Sequence, residues 1–137
     1  MALRTGQVSL TALASATSAD GTARNGTTLP LAGVKPGSLA IDITSAITTS
    51  SVAATFKVQA SSDASTWRDV YTTAAVSVAS AAGTGSPVTT NRAILVPGDA
   101  LSSYAYARVV ATLAGAATAG ADVTSATYRF RRYGMKD

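Results

Sequence analysis

Seven aspartates are the only side-chain carboxylates in this 137-residue chain, which has no glutamate, no histidine and no cysteine. These absences restrict the chemistry before any fold is considered. Thiol nucleophiles, disulfide scaffolds, zinc fingers and histidine-based triads have no residues to build them. Asp20, Asp63 and Asp99 stand beside turn residues, where an aspartate caps the local backbone, and Asp137 is terminal. Asp42, Asp69 and Asp122 fall on expected strands. Two such carboxylates could flank a glycosidic bond or hold a calcium ion, but nothing in their spacing pairs them. Serines and threonines are plentiful, yet neither Lys35 nor Lys57 stands in a Ser-x-x-Lys motif that would supply a base. There is no Gly-x-Ser-x-Gly elbow, phosphate loop or dinucleotide fingerprint, and Gly83-Thr84-Gly85 is too short to serve as one. The chain reads as a non-enzyme with no cofactor and no metal.

What remains is the chemistry of contact. Eight Arg and three Lys against seven Asp give a net charge of +4. Arg129, Arg131, Arg132 and Lys136 crowd the last nine residues, opposed there by Asp137 alone. Such a tail binds an acidic partner or guards an edge strand with charge. Without an aromatic stacking platform it favours a protein surface over nucleic acid. Trp67, the single tryptophan, reads as a core anchor between sheets, with a sugar-stacking platform as the alternative. Tyr104 and Tyr106 share a strand face, and one of them is a candidate to bond back to a loop, as a tyrosine corner does.

The elements that carry these residues read as strands. Val8, Leu10 and Ala12 alternate with Gln7, Ser9 and Thr11, and Leu39, Ile41 and Ile43 with Ala40, Asp42 and Thr44. Ala54, Phe56, Val58 and Ala60 alternate with Thr55, Lys57, Gln59 and Ser61. A period of two marks strands with one buried face, which puts Asp42 toward solvent. Further strands are expected over 66–72, 92–96, 104–113 and 123–133. Turns separate them: Asp20-Gly21 and Asn25-Gly26, where positive φ is tolerated, then Pro36-Gly37, the 61–65 hairpin loop and Pro97-Gly98-Asp99. Residues 81–87 and 114–121 read as Gly/Ala-rich loops. A short helix over 74–82 is disfavoured by Val76 and Val78. The expected fold is all-β, an antiparallel β-sandwich, immunoglobulin-like or jelly-roll-like, of about seven or eight strands. The expected organisation is a single domain over 1–137 with an N-terminal arm and a basic C-terminal strand. No run approaches the roughly 20 apolar residues that span a bilayer, and the N-terminus lacks the pattern of a secretory signal. Alanine contributes 29 residues and aromatics only eight, so part of the stability is expected to come from assembly.

The segment Phe56–Val70, with its Ser-x-Asp-x-x-x-Trp hairpin, and the strand Tyr106–Thr112 look like paired strands of many β-sandwich modules. The opening Gly6–Ala12, the segment Arg24–Leu29 and the Pro97-Gly98-Asp99 turn are similar to small β-sandwich virion proteins of tailed bacteriophages. That family includes head decoration (cement) proteins and accessory head or tail proteins. The resemblance covers about half of the chain and brings no catalytic motif. It implies a structural virion protein on the capsid surface, made in the host cytoplasm, stabilising the head by non-covalent contacts between neighbouring subunits. The implied partners are the major capsid protein or other virion proteins and further copies of the chain, a trimer favoured, with neither specific nucleic acid nor membrane. The candidate contact residues are Leu3, Arg4 and Gln7 in the N-terminal arm and Arg129, Arg131, Arg132 and Tyr133 in the last strand. A tail or neck component and a carbohydrate-binding module are the alternatives.

Overall fold

The structure, a computed structural model, describes residues 5–16, 23–47, 52–73, 76–77, 88–114 and 122–133. In chain order the strands are β1 (Thr5–Ala16), β2 (Ala23–Asn25), β3 (Leu29–Pro30), β4 (Ala40–Ile47), β5 (Ala53–Ser61), β6 (Arg68–Thr72), β7 (Val76–Ser77), β8 (Val88–Leu95), β9 (Tyr106–Ala114) and β10 (Val123–Tyr133). A single-turn helix, α1 (Gly98–Leu101), follows Pro97 where the sequence had indicated only a turn. Asp20-Gly21, the loop expected at 81–87, most of the loop expected at 114–121 and most of 74–82 lie outside the described residues; Ala114 ends β9 instead.

All strand pairings are antiparallel. One sheet has the order β1-β10-β4-β8; the other runs β2-β9-β5-β6, with β3 also on β9 and β7 also on β5. Since β5 occupies one side of β9, β2 and β3 lie end to end on its other side, and β6 and β7 likewise share the free side of β5. The ten segments therefore form eight lines, four to a sheet. Successive lines switch sheets except at the β5–β6 hairpin. This is the double-sheet jelly roll, the second of the two sandwich types expected.

Alternation builds the core. Ile41, Ile43 and Ile47 of β4 and Ala126, Tyr128 and Phe130 of β10 face Phe56 and Val58 of β5 and Val109, Ala111 and Leu113 of β9, all buried. On β1 the pairing with β10 slips between Thr11 and Leu13, so Ala12 and Leu13 are both buried. Leu10 pairs with buried Tyr128 and so lies on the core side, yet it stays 42% exposed because β1 is an edge strand.

Two polar devices lock the sheets together. The Tyr128 hydroxyl accepts the Val109 N–H at 2.9 Å and donates to the Thr27 carbonyl at 2.6 Å. Beside it, the Gly26 N–H donates to the Val109 carbonyl at 2.7 Å. A Cβ on Gly26 would lie 2.7 Å from that carbonyl oxygen, so glycine is needed here for close approach. This corrects the turn reading of Asn25-Gly26: Gly26 has no positive φ, and Asn25 ends β2. Gly37 does have the left-handed conformation expected of Pro36-Gly37, with φ +77°. The loop-bonding tyrosine is Tyr128, where Tyr104 or Tyr106 had been the candidate. The second device is Arg24 on β2. Its guanidinium donates to the carbonyls of Ala14 (2.6 Å), Ala16 (2.9 Å) and Thr124 (3.1 Å) and to Thr124 Oγ1 (3.1 Å). It thereby ties the irregular end of β1 and the start of β10 to the opposite sheet.

Candidate interaction surface

The end of β10 carries most of the residues singled out as contacts. Gln7 faces Arg131 across the β1–β10 ladder, Ser9 faces Arg129, and Thr5 faces Tyr133. Residues paired across a ladder point to the same side. Gln7, Arg129, Arg131 and Tyr133 therefore share the outer face of the first sheet, one of the two faces turned away from the core. Tyr133 is 40% exposed. Arg132 points the other way, half-buried, with its guanidinium 5.4 Å from the centre of the Phe130 ring. Leu3 and Arg4 lie outside the described residues.

These cations are not equivalent. Arg129 makes a two-point pair with Asp42 on β4, Nε to Oδ2 at 3.1 Å and Nη2 to Oδ1 at 3.2 Å, and this raises its already high pKa further. Both side chains are more than a third exposed, so the pair contributes little to stability. Arg131 is exposed, and its backbone is held by the 33–38 loop: its carbonyl accepts the Lys35 N–H at 2.8 Å and its N–H donates to Ser38 Oγ at 3.0 Å. The exposed cation of this face is thus Arg131, flanked by Gln7 and Tyr133.

The outer face of the second sheet carries a connected polar row. Lys57 Nζ lies 3.3 Å from Asp69, Gln59 Nε2 donates to Asp69 at 2.8 Å, and Arg108 Nε donates to Gln59 Oε1 at 2.9 Å. Arg108 then stacks on Trp67, 4.2 Å from the ring centre. The Gln59 hydrogen bond is the main reason the Asp69 carboxyl titrates below its ordinary value. Trp67 is therefore not the core anchor expected. It precedes β6 and is partly exposed, and Phe56, Tyr128 and Phe130 fill the core in its place. Arg108 was not among the expected residues. The signal for it is its placement on β9, opposite Gln59, with alternating buried neighbours.

The remaining carboxylates are apart from one another. Asp63 closes its own hairpin loop, accepting the N–H groups of Ser65 and Thr66, each at 2.9 Å, and the Ser61 hydroxyl at 3.0 Å. Those bonds hold its carboxyl far below the usual range, the Thr66 N–H contributing most. Asp122 is buried at the start of β10. Among the described residues no cluster of three potential metal ligands occurs, and no helix is long and apolar enough to cross a membrane. An apolar groove of about 280 Å³ lies at one end of the sandwich, lined by Leu31, Val34, Leu39, Val96, Leu101 and Tyr104 among others. Among the described residues, the first sheet's outer face thus presents Arg131 as its most open arginine, and the second sheet's outer face a row of linked polar groups.

No protein-family model matches the chain, and no curated relative matches it. Solved structures do. A chain in the structure of infectious bursal disease virus, Gx strain, is similar over 98% of this chain with TM-score 0.56 and 12% identity. The infectious bursal disease virus VP2 subviral particle is similar over 96% with TM-score 0.55 and 14% identity. The chain spans about a third of the length of each, 34%. At this identity the likeness is one of fold.

Proposed function

We propose that this chain is a structural protein of a virus particle and, as its specific form, a decoration protein that binds the head of a tailed phage and clamps neighbouring capsid subunits. The observation that carries this reading is the fold itself: nearly the whole chain follows the fold of about a third of a chain in a viral VP2 subviral particle. The resemblance of its hairpins to virion proteins of tailed phages supports the finer form. The proposed mechanism is non-enzymatic. Many copies make weak contacts that sum through the symmetry of the shell. The proposed contact residues are Gln7, Arg129, Arg131 and Tyr133 on the outer face and Arg132 on the opposite side of β10, together with Leu3 and Arg4, which lie outside the described residues. Purified protein mixed with heads assembled without it should bind saturably, at a fixed ratio to the capsid subunit. Binding to tails alone moves the chain to the tail or neck; binding to neither overturns the reading.

A second reading draws on one observation. Trp67 lies on the outer face of the second sheet, where a sugar-binding platform would sit, although Arg108 covers part of its ring. A glycan-dependent shift of Trp67 fluorescence would favour this carbohydrate-binding module; no shift across a glycan panel removes it.

A further inference from the structure

The two edges of the first sheet are β1 and β8. An edge strand exposes a row of unpaired backbone groups, and proteins guard such rows with charge or proline. The β8 edge carries Arg92 and the β6 edge of the second sheet carries Arg68 and Asp69, while β3 ends in Pro30. From Thr5 to Ala16 the β1 edge has neither a charged residue nor a proline.

The direction of its backbone groups follows from the neighbouring strand. The Arg131 carbonyl and the Tyr133 N–H bond to Lys35 and Gly33, on the side of β10 away from β1. Backbone groups alternate along a strand, so Phe130 and Arg132 turn toward β1 and bond to Val8 and Gly6. Gln7, Ser9 and Thr11 then direct their N–H and C=O groups outward, away from the sheet. Beyond the bulge the corresponding carbonyls are occupied: the Ala12 carbonyl accepts the Thr27 N–H at 2.9 Å, and the carbonyls of Ala14 and Ala16 are held by Arg24. Among the described residues the open half of the edge is therefore Gln7 to Thr11, and it borders the exposed Leu10.

We propose that this open half pairs with the same segment of a second copy of the chain, antiparallel about a two-fold axis through Ser9, joining two four-stranded sheets into one of eight. Charge decides the occupant. Self-pairing about a two-fold axis sets a strand against its own reversed sequence, so a seam on β8 or β6 would have to take in the charges of Arg92 or of Arg68 and Asp69, whereas on β1 every facing group is neutral. The axis at Ser9 sets Gln7 against Thr11 of the other copy through the outward-facing backbone groups. It also sets Val8 against Leu10 of the other copy, covering the leucine that the monomer leaves in water. The contact joins two copies, so a trimer would use another face. It does not depend on the virion reading and is read on the isolated protein.

The chain has no cysteine, which makes the test clean. Facing residues of an antiparallel pair lie about 4.5–5.5 Å apart at Cα, within disulfide range. Ser9→Cys should form a disulfide-linked dimer under mild oxidation about tenfold or more faster than Ala93→Cys on exposed β8, because pairing raises the local concentration. Sedimentation over a concentration series should show a wild-type dimer that Leu10→Lys converts to monomer with an unchanged circular dichroism spectrum. Cross-linking of Ser9→Cys no faster than of Ala93→Cys overturns the proposal, as does an oligomer that Leu10→Lys leaves intact. If Leu10→Lys fails to fold, the two cysteine rates decide alone.

Discussion

The phenol of Tyr128, rooted in the first sheet, takes the Val109 amide of the second at 2.9 Å, deep between the layers. The same oxygen donates to Thr27, so one side chain satisfies two backbone groups. Tyr128→Phe leaves both without that partner and should cost about 1–3 kcal/mol, measured by urea unfolding. Burial pushes the Tyr128 pKa up from 10.0 to about 12, against the smaller opposing effects of the Val109 N–H and the Arg108 charge. Because the folded value lies above the unfolded one, this contribution is whole below pH 10 and is lost as pH rises toward 12. Stability should fall over that window in the wild type and fall less in Tyr128→Phe.

Arg24 holds the carbonyls that the β1 bulge turns away from its ladder. Arg24→Ala should cost about 1.5–3 kcal/mol, the range for hydrogen bonds to a charged group. Amide exchange should rise first at the end of β1 and the start of β10, and less at the centre of β9.

At acid pH the 62–67 loop should respond. The folded Asp63 carboxyl sits far below its ordinary 3.8, so its contribution is full above that value and lost as pH falls through the folded one. Asp63→Asn removes the charged acceptor and should flatten this part of the acid limb. Chemical denaturation between pH 2 and pH 6 reads the difference.

Trp67 and Phe56 separate surface from core. Phe56→Ala should cost about 3–5 kcal/mol through the cavity it opens. Trp67→Ala loses chiefly the stacking with Arg108 and should cost about 0.5–2 kcal/mol, with the fold kept. Paired thermal melts distinguish the two.

Much of the fold was legible because it is written locally. The alternation through Ile41 and Ile43 and through Phe56 and Val58 is a two-residue pattern, and it placed those strands and their buried faces. The choice of jelly roll over immunoglobulin-like order was not legible, since it depends on which distant strands pair, as β1 does with β10. Trp67 was misplaced for a related reason. Its size argues for burial, but a position next to the hairpin loop and beneath Arg108 is decided by the third strand in the row. Gly26 was read for the freedom of its backbone, whereas its role is to leave room for Val109. Arg24 drew no reading of its own, because the bulge that frees its carbonyl partners is visible only in the β1–β10 register. The candidate surface was half legible: the basic character of β10 stood out, but Asp42, which engages Arg129, lies 87 residues away.

The central claim is that this chain works as a repeated part of a virus shell. The most direct measurement is an electron cryo-microscopy map of particles purified from cells that make it. The account predicts the two-sheet sandwich at symmetry-related positions on the head, with the outer face around Arg131 against a capsid subunit. Particles without such density, from cells in which the protein is abundant, would contradict it.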